Sequence, residues 1–478
     1  MKEGIKVKQK DQSTRLGTEP IPKLLKSLSI PAMIGMFVMA LYNVVDTIFI
    51  SHAVGITGVA GVTIAFPLML IMMAVAAAMG MGGASVISRR LGANKAEDAN
   101  KVFGNILTLV MAFSVLGFIG AFTFLDTLLY LFGATPEVIG YAREYMFPIM
   151  LGTFFFSFAF TTNSIIRSEG NARFAMMMMI IPSVLNIILS PIFIFSFDMG
   201  VQGAAVATVI SQASVSIVIL RYFMSGKSTL SISLPDMKPR LDLMKEVIII
   251  GMPAFFRQVA GSVMMIAINA MLIRFGSEFH VGVFGIVQRV LMFTLMPMMG
   301  ILQGMQPIIG YNFGAKNFDR LRDTVWLGLK VVTVYSAVIF VVVMLFPNIF
   351  MSIFTSDPEV IKAGADGMRI MFLASILIGV QVVSGGLYQA LGKARPALIL
   401  SMARQVLFLI PLVLILPHYF GVMGVWIAFP VADVLSFILS AAFLYHIRHS
   451  IRSHWRFAPF MLACFATEQY CFSWLLQT

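Results

Sequence analysis

The chain has 478 residues, of which 59% are hydrophobic and only 12% charged, with a mean hydropathy of +0.91. An average soluble domain carries about 25% charged residues, so a soluble enzyme, a disordered chain and a secreted disulfide scaffold are excluded and an all-α polytopic membrane protein is implied. Lys plus Arg is 34 against 22 Asp plus Glu, a net charge of +12; these cations sit between apolar segments, which speaks for topology and contact with membrane lipids rather than nucleic acid.

Residues 1–26 read as a polar, basic arm (Lys6, Lys8, Lys10, Arg15, Lys23, Lys26) with no apolar core or cleavage site, so no cleaved signal peptide is expected. Apolar stretches of spanning length follow near 28–51, 60–87, 102–126, 141–166, 174–196 and 201–224. A second set lies near 246–274, 281–311, 324–350, 364–390, 396–416 and 422–446. Twenty-odd helical residues, at about 1.5 Å each, cross a hydrocarbon core of about 30 Å. The breaks on one side hold Arg89, Arg90, Lys95 and Lys101, then Arg167 and Arg173, then Arg221, Lys227 and Lys238. The opposite breaks hold mainly Glu137, Asp198, Glu278, Asp357 and Glu359. The asymmetry places both termini in the cytoplasm of a cell-membrane protein and requires an even number of spans, which twelve satisfies.

The chain also repeats itself. Ile30-Pro31-Ala32 matches Met252-Pro253-Ala254, Leu91-Gly92-Ala93 matches Phe313-Gly314-Ala315, and Gly170-Asn171-Ala172-Arg173 matches Gly392-Lys393-Ala394-Arg395, all at an offset of 222 residues. The stretch 132–138 matches 354–360 at the same offset, and Gly200-Val201-Gln202-Gly203 matches Gly421-Val422-Met423-Gly424 at 221. Six spans per copy return the chain to its starting side, so the copies share one topology and a pseudo-two-fold along the membrane normal is expected. The expected organisation is an arm (1–26), a first lobe (27–224), a cytoplasmic linker (225–245), a second lobe (246–446) and a cytoplasmic or interfacial tail (447–478).

Several tempting motifs carry little. Gly226-Lys227-Ser228 invites a phosphate-loop reading, but Arg221 stands where that motif needs glycine. Cys464 and Cys471 lie together in the tail and build neither a disulfide framework nor a zinc site, and the six histidines form no ligand pair inside a span. No metal, cofactor or catalytic constellation is expected, and the chain does not read as an enzyme. Ala76, Gly80 and Ala84 recur every four residues and should let helices approach closely. The 36 methionines and 42 phenylalanines suit either helix packing or a promiscuous apolar pocket.

Ionisable groups inside spans are costly and point to function unless they are paired. Asp46 is the clearest, with no cation in its span. Asp433 lies mid-span, and Arg404 on the preceding span falls at similar depth, so a structural ion pair is expected there. Gln381 occupies the middle of span ten. Glu144 with Arg143, and Asp366 with Arg369, are expected to pair at the outer rim.

Together, Ser29-Ile30-Pro31, Tyr42-Asn43-Val44-Val45-Asp46, Ile87-Ser88-Arg89-Arg90-Leu91-Gly92-Ala93 and Pro307-Ile308-Ile309-Gly310-Tyr311-Asn312-Phe313-Gly314-Ala315, set in a duplicated chain, resemble the multidrug and toxic compound extrusion (MATE) family, in its bacterial DinF-like and MepA-like branches. The resemblance covers roughly residues 20–446. It implies an antiporter exporting drug-like, often cationic compounds against H⁺ or Na⁺, working as a monomer in the inner or plasma membrane. A lipid-linked saccharide flippase of the same superfamily is the alternative. The resemblance further implies a cation-coupling cluster of Asp46, Asn163, Asn186 and Thr208 in the first lobe. Where that family usually has Asp on span five this chain has Ser190, leaving Asp46 the sole acid of the cluster.

Overall fold

The computed structural model describes residues 13–450; the expectations for Lys6, Lys8, Lys10, Cys464, Cys471 and most of the tail lie outside the described residues. Every regular element among the described residues is helical. Ten helices are long and apolar enough to cross a membrane, and two further spans are bent pairs, Ile139–Leu151 with Thr153–Ser168 and Pro358–Met371 with Ser375–Ala390. Counting each bent pair once gives the expected twelve.

The repeat is visible in the backbone. The bent pair is the fourth span of each set of six, with bends of 60° and 55°. Asn94 and Lys316, 222 residues apart, are both left-handed at φ 59° and 57°. Side chains rarely adopt that conformation, and here it turns the chain sharply between the second and third spans of each set. Gly170 and Gly392 repeat the device at φ 91° and 74°. Asn171 then caps Ala172–Pro191, its side chain accepting from the Phe174 N–H, and Asn317 caps Phe318–Leu345 through the Arg320 N–H. Each fifth span also loosens into a π-helical stretch, Ile192–Ser196 after Pro191 and Ala403–Leu409 before Pro411. Proline removes a ladder donor, and the helix relieves the gap by widening a turn.

Two details depart from the sequence reading. Spans one and two are joined by helix: one run, α1 (Ile21–Gly92), contains both Ile21–Ile50 and Gly61–Gly92. The intervening residues hold neither proline nor an acidic or Lys/Arg side chain, so nothing local forces the backbone out of its ladder. Arg143 pairs with Asp126 across a helix turn, not with its neighbour Glu144. Adjacent residues on a helix point about 100° apart, so a sequence neighbour is a poor partner. Asp366 and Arg369, spaced three apart, do pair at 3.6 Å.

The chain divides into two compact units, one of residues 1–255, 306–316 and 390–392, the other of 256–305, 317–389 and the remainder. The first unit has an apolar centre built on Ile50, Leu68, Leu129, Met146 and Val201. Its close helix approach comes from the glycine run. A Cβ on Gly80 would stand 3.2 Å from Thr161 Cα, and one on Gly82 only 2.0 Å from the Val247 carbonyl oxygen. Thr161 Oγ1 donates to the Ala76 carbonyl at 3.2 Å across the same seam. The second unit is centred on Phe284, Phe372, Phe429 and Trp426. Its methionines divide between roles: Met298 and Met305 are core, whereas Met292 is 54% exposed.

Residues 228–240 are fastened to the first unit. Asn105 Nδ2 donates to the Asp236 carbonyl at 3.2 Å, Asn105 Oδ1 accepts from the Arg240 N–H at 2.7 Å, and Thr108 Oγ1 donates to the Met237 carbonyl at 2.7 Å. Glu169, fully buried just beyond the end of Thr153–Ser168, holds the start of this stretch. Its Oε1 accepts from Ser228 Oγ at 2.6 Å and the Leu230 N–H at 2.9 Å, and its Oε2 from Tyr222 at 3.4 Å. Ser228 of the apparent phosphate-loop motif is thus a fastening residue. Burial pushes the Glu169 carboxyl up to about 7, although the donors around it pull the other way. An acid raised in the folded state contributes stability that is present below the unfolded value of 4.5 and is lost as pH rises through about 7. In Glu169→Gln the amide oxygen keeps Ser228 and Leu230 while the nitrogen faces the Tyr222 oxygen. Between pH 5 and 8 the wild-type unfolding midpoint should therefore fall relative to that of the variant, by an equivalent of about 3 kcal/mol. Parallel thermal unfolding of the two proteins across this range is the check; parallel curves would contradict it.

Candidate functional site

In the first unit Asp46 lies on α1 and is 8% exposed. The apolar sequence around it forms helix without interruption, and the fifth span brings Ser190 and Asn186 alongside. Ser190 Oγ stands 3.2 Å from Asp46 Oδ1 and 2.8 Å from Asn186 Oδ1. Asn186 Nδ2 donates to Thr208 Oγ1 at 2.9 Å, and Thr208 in turn donates to the Ala204 carbonyl at 3.0 Å. Asp46, Ser190, Asn186 and Thr208 are therefore one hydrogen-bonded chain across three spans. Tyr42, one turn before Asp46, is hydrogen-bonded to Thr208 and, with Tyr145, lies within electrostatic reach of the carboxyl.

Of the four residues implied for this cluster, three are joined. Asn163 is buried, but its Nδ2 donates to the Ala175 carbonyl at 2.7 Å, tying the fourth span to the fifth. Ser190 carries no charge, yet it is the link between the acid and the amide. Its position, four residues after Asn186 on one helix face, was the available signal. Chemically, the cluster offers one carboxylate among neutral oxygens. No group of three or more His, Cys, Asp or Glu suited to a metal ion occurs among the described residues.

The second unit holds the other ionisable constellation. Arg404 Nε donates to Asp433 Oδ1, with Asp433 fully buried, as the sequence led us to expect. Gln381 Nε2 donates to the Asp433 carbonyl at 2.7 Å, so Gln381, Arg404 and Asp433 meet at one place. They lie beside a cavity of about 110 Å³.

A transporter built from twelve helical spans in two copies of six is the class these features define. A model of the MatE family matches residues 31–192 and 253–415, two stretches that again begin 222 residues apart. The chain belongs to the MATE family. It is 27% identical over 429 residues to the multidrug export protein MepA of Staphylococcus haemolyticus, covering 90% of this chain and 94% of that protein. MepA of Staphylococcus aureus is equally similar, at 27% over 433 residues. Among solved structures, the MATE multidrug transporter DinF-BH is 64% identical with a TM-score of 0.86, covering 93% of this chain and all (100%) of that one. A MOP-superfamily transporter from Pyrococcus furiosus matches with a TM-score of 0.86 at 29% identity, over 93% of this chain and 99% of that one.

Proposed function

We propose that this transporter exports lipophilic, often cationic drug-like compounds by alternating access, driven by inward movement of H⁺ through the Asp46 cluster. The supporting observation is the hydroxyl of Ser190, which lies between two acceptors, Asp46 Oδ1 and Asn186 Oδ1. One hydroxyl hydrogen serves one acceptor. A proton on Asp46 resolves the conflict: the carboxyl donates to Ser190 Oγ, and Ser190 donates to Asn186. Loss of the proton leaves three electronegative oxygens sharing one hydrogen, so the spans carrying them must separate, reorient or admit water. Protonation thereby biases the packing of α1 against the fifth span, and a substrate that prefers one arrangement is coupled to it reciprocally. Na⁺ is the competing ion, since the same oxygens could ligate it.

The transport direction and the cationic preference draw support from the relatives named for multidrug export, which span nearly the whole chain. The flippase alternative draws none from them. The reading places the protein in the inner or plasma membrane with both termini cytoplasmic. The test is efflux of a lipophilic cationic dye from proteoliposomes with a pH gradient and a Na⁺ gradient imposed separately. Efflux should follow the pH gradient alone. Dependence on Na⁺ would change the ion, and no efflux under either gradient would remove the reading.

A further inference from the structure

The cavity of the second unit does not match a purely cation-handling protein. Its lining includes Arg257 and Arg404 and no carboxylate. Asp433 reaches Arg404 from outside that lining and engages only Nε, so the two terminal nitrogens of Arg404 have no acceptor among the described residues. Two guanidinium groups and one carboxylate leave a formal charge of +1 beside an apolar wall that includes Leu295 and Met299. A charge held in low dielectric calls for an anion to balance it.

Acceptors are also waiting there. Gln381, only 7% exposed, gives its amide N–H to Asp433, and its Oε1 is buried with no hydrogen-bond partner. Gln405 also lines the cavity, and its Oε1 is buried and unpartnered as well. An unsatisfied buried acceptor costs about 1–3 kcal/mol, and two at one cavity point to a donor that arrives with a ligand.

We propose that this cavity binds amphiphiles that carry a carboxylate next to an amide or ammonium N–H. The planar carboxylate would lie against the guanidinium groups, which match its geometry with paired N–H donors. The adjacent N–H would satisfy the Gln381 or Gln405 carbonyl, and the alkyl or aryl part would lie on Leu295 and Met299. The protein would then recognise zwitterionic and anionic compounds through its second unit, independently of the ion used at Asp46.

The probe pair is N-octanoylglycine and its methyl ester, which share the chain and the amide N–H and differ in the carboxylate. Binding is measured by calorimetry on the purified full-length protein in an uncharged detergent, with no gradient, so the outcome does not depend on transport. The acid should bind at least tenfold more tightly than the ester. Arg257→Gln should abolish that preference while leaving ester binding within about twofold. Gln405→Leu should weaken acid and ester alike, because both lose the acceptor for their N–H. Equal affinity of acid and ester for the wild-type protein would overturn the proposal, as would an acid preference that survives Arg257→Gln. The wild-type comparison stands even if a variant fails to fold.

Discussion

Asp433→Asn should lower folding stability by about 3–5 kcal/mol, the largest loss expected from any isosteric change in this chain. Asp433 is fully buried and holds Arg404, whose side chain is 17% exposed. Removing the carboxylate strands a guanidinium at membrane depth, where neither water nor another acid is at hand. The backbone carbonyl of Asp433 still accepts from Gln381, so the loss is electrostatic and not a collapse of that contact. Thermal unfolding in detergent reads the effect. The double change Asp433→Leu with Arg404→Met should recover most of the loss, because a well-packed apolar pair dispenses with the desolvation of both charges. A single variant as stable as wild type, or a double variant no better than the single, would show that the pair is not the fastening we describe.

Asp46→Asn should fold and yet fail to drive efflux. The amide keeps the shape of the protonated acid and can donate to Ser190 Oγ, so the Ser190–Asn186–Thr208 chain stays whole. What it cannot do is release a proton. Coupling between two ligands of one protein amounts to about 1–3 kcal/mol, or about 5- to 150-fold; with that coupling gone, the pH gradient should no longer change the efflux rate. Ser190→Ala makes the complementary case: the acid remains, its link to Asn186 is lost, and efflux should persist with weakened dependence on the gradient. Dye efflux from proteoliposomes at fixed protein content, with and without the gradient, measures both. Gradient-driven efflux by Asp46→Asn at the wild-type rate would remove Asp46 from the coupling path.

The two aspartates were separable in the sequence by a simple rule. Asp433 had a cation on the preceding span at similar depth, and Asp46 had none in its own span. Burial in lipid forbids an unpaired charge at rest, so one read as fastening and the other as function. The partners of Asp46 were legible only in part. Asn186 and Thr208 came from the resemblance, and both belong to the chain of bonds. Asn163 came from the same source, but its amide is engaged by the Ala175 carbonyl, a matter of helix rotation that no motif encodes. Ser190 looked like a loss of charge and proved to be the link.

Composition, hydrophobic run length and the 222-residue repeat determined the helical class, the number of spans and the matching order of the two sets of six. These features are legible because each rests on a local physical demand: an apolar run must fill the hydrocarbon thickness, a backbone in lipid must bond to itself, and a left-handed turn must recur wherever the repeat recurs. The bends near Gly152 and residues 372–374, the π-helical turns, the fastening of residues 228–240 by Glu169 and Asn105, and the Arg257–Arg404 cavity were decided only by tertiary structure. Each depends on which face of one helix meets which face of another. Such contacts join residues tens to more than a hundred positions apart, and nearly uniform apolar spans leave no periodic stripe in the sequence to say which face turns inward.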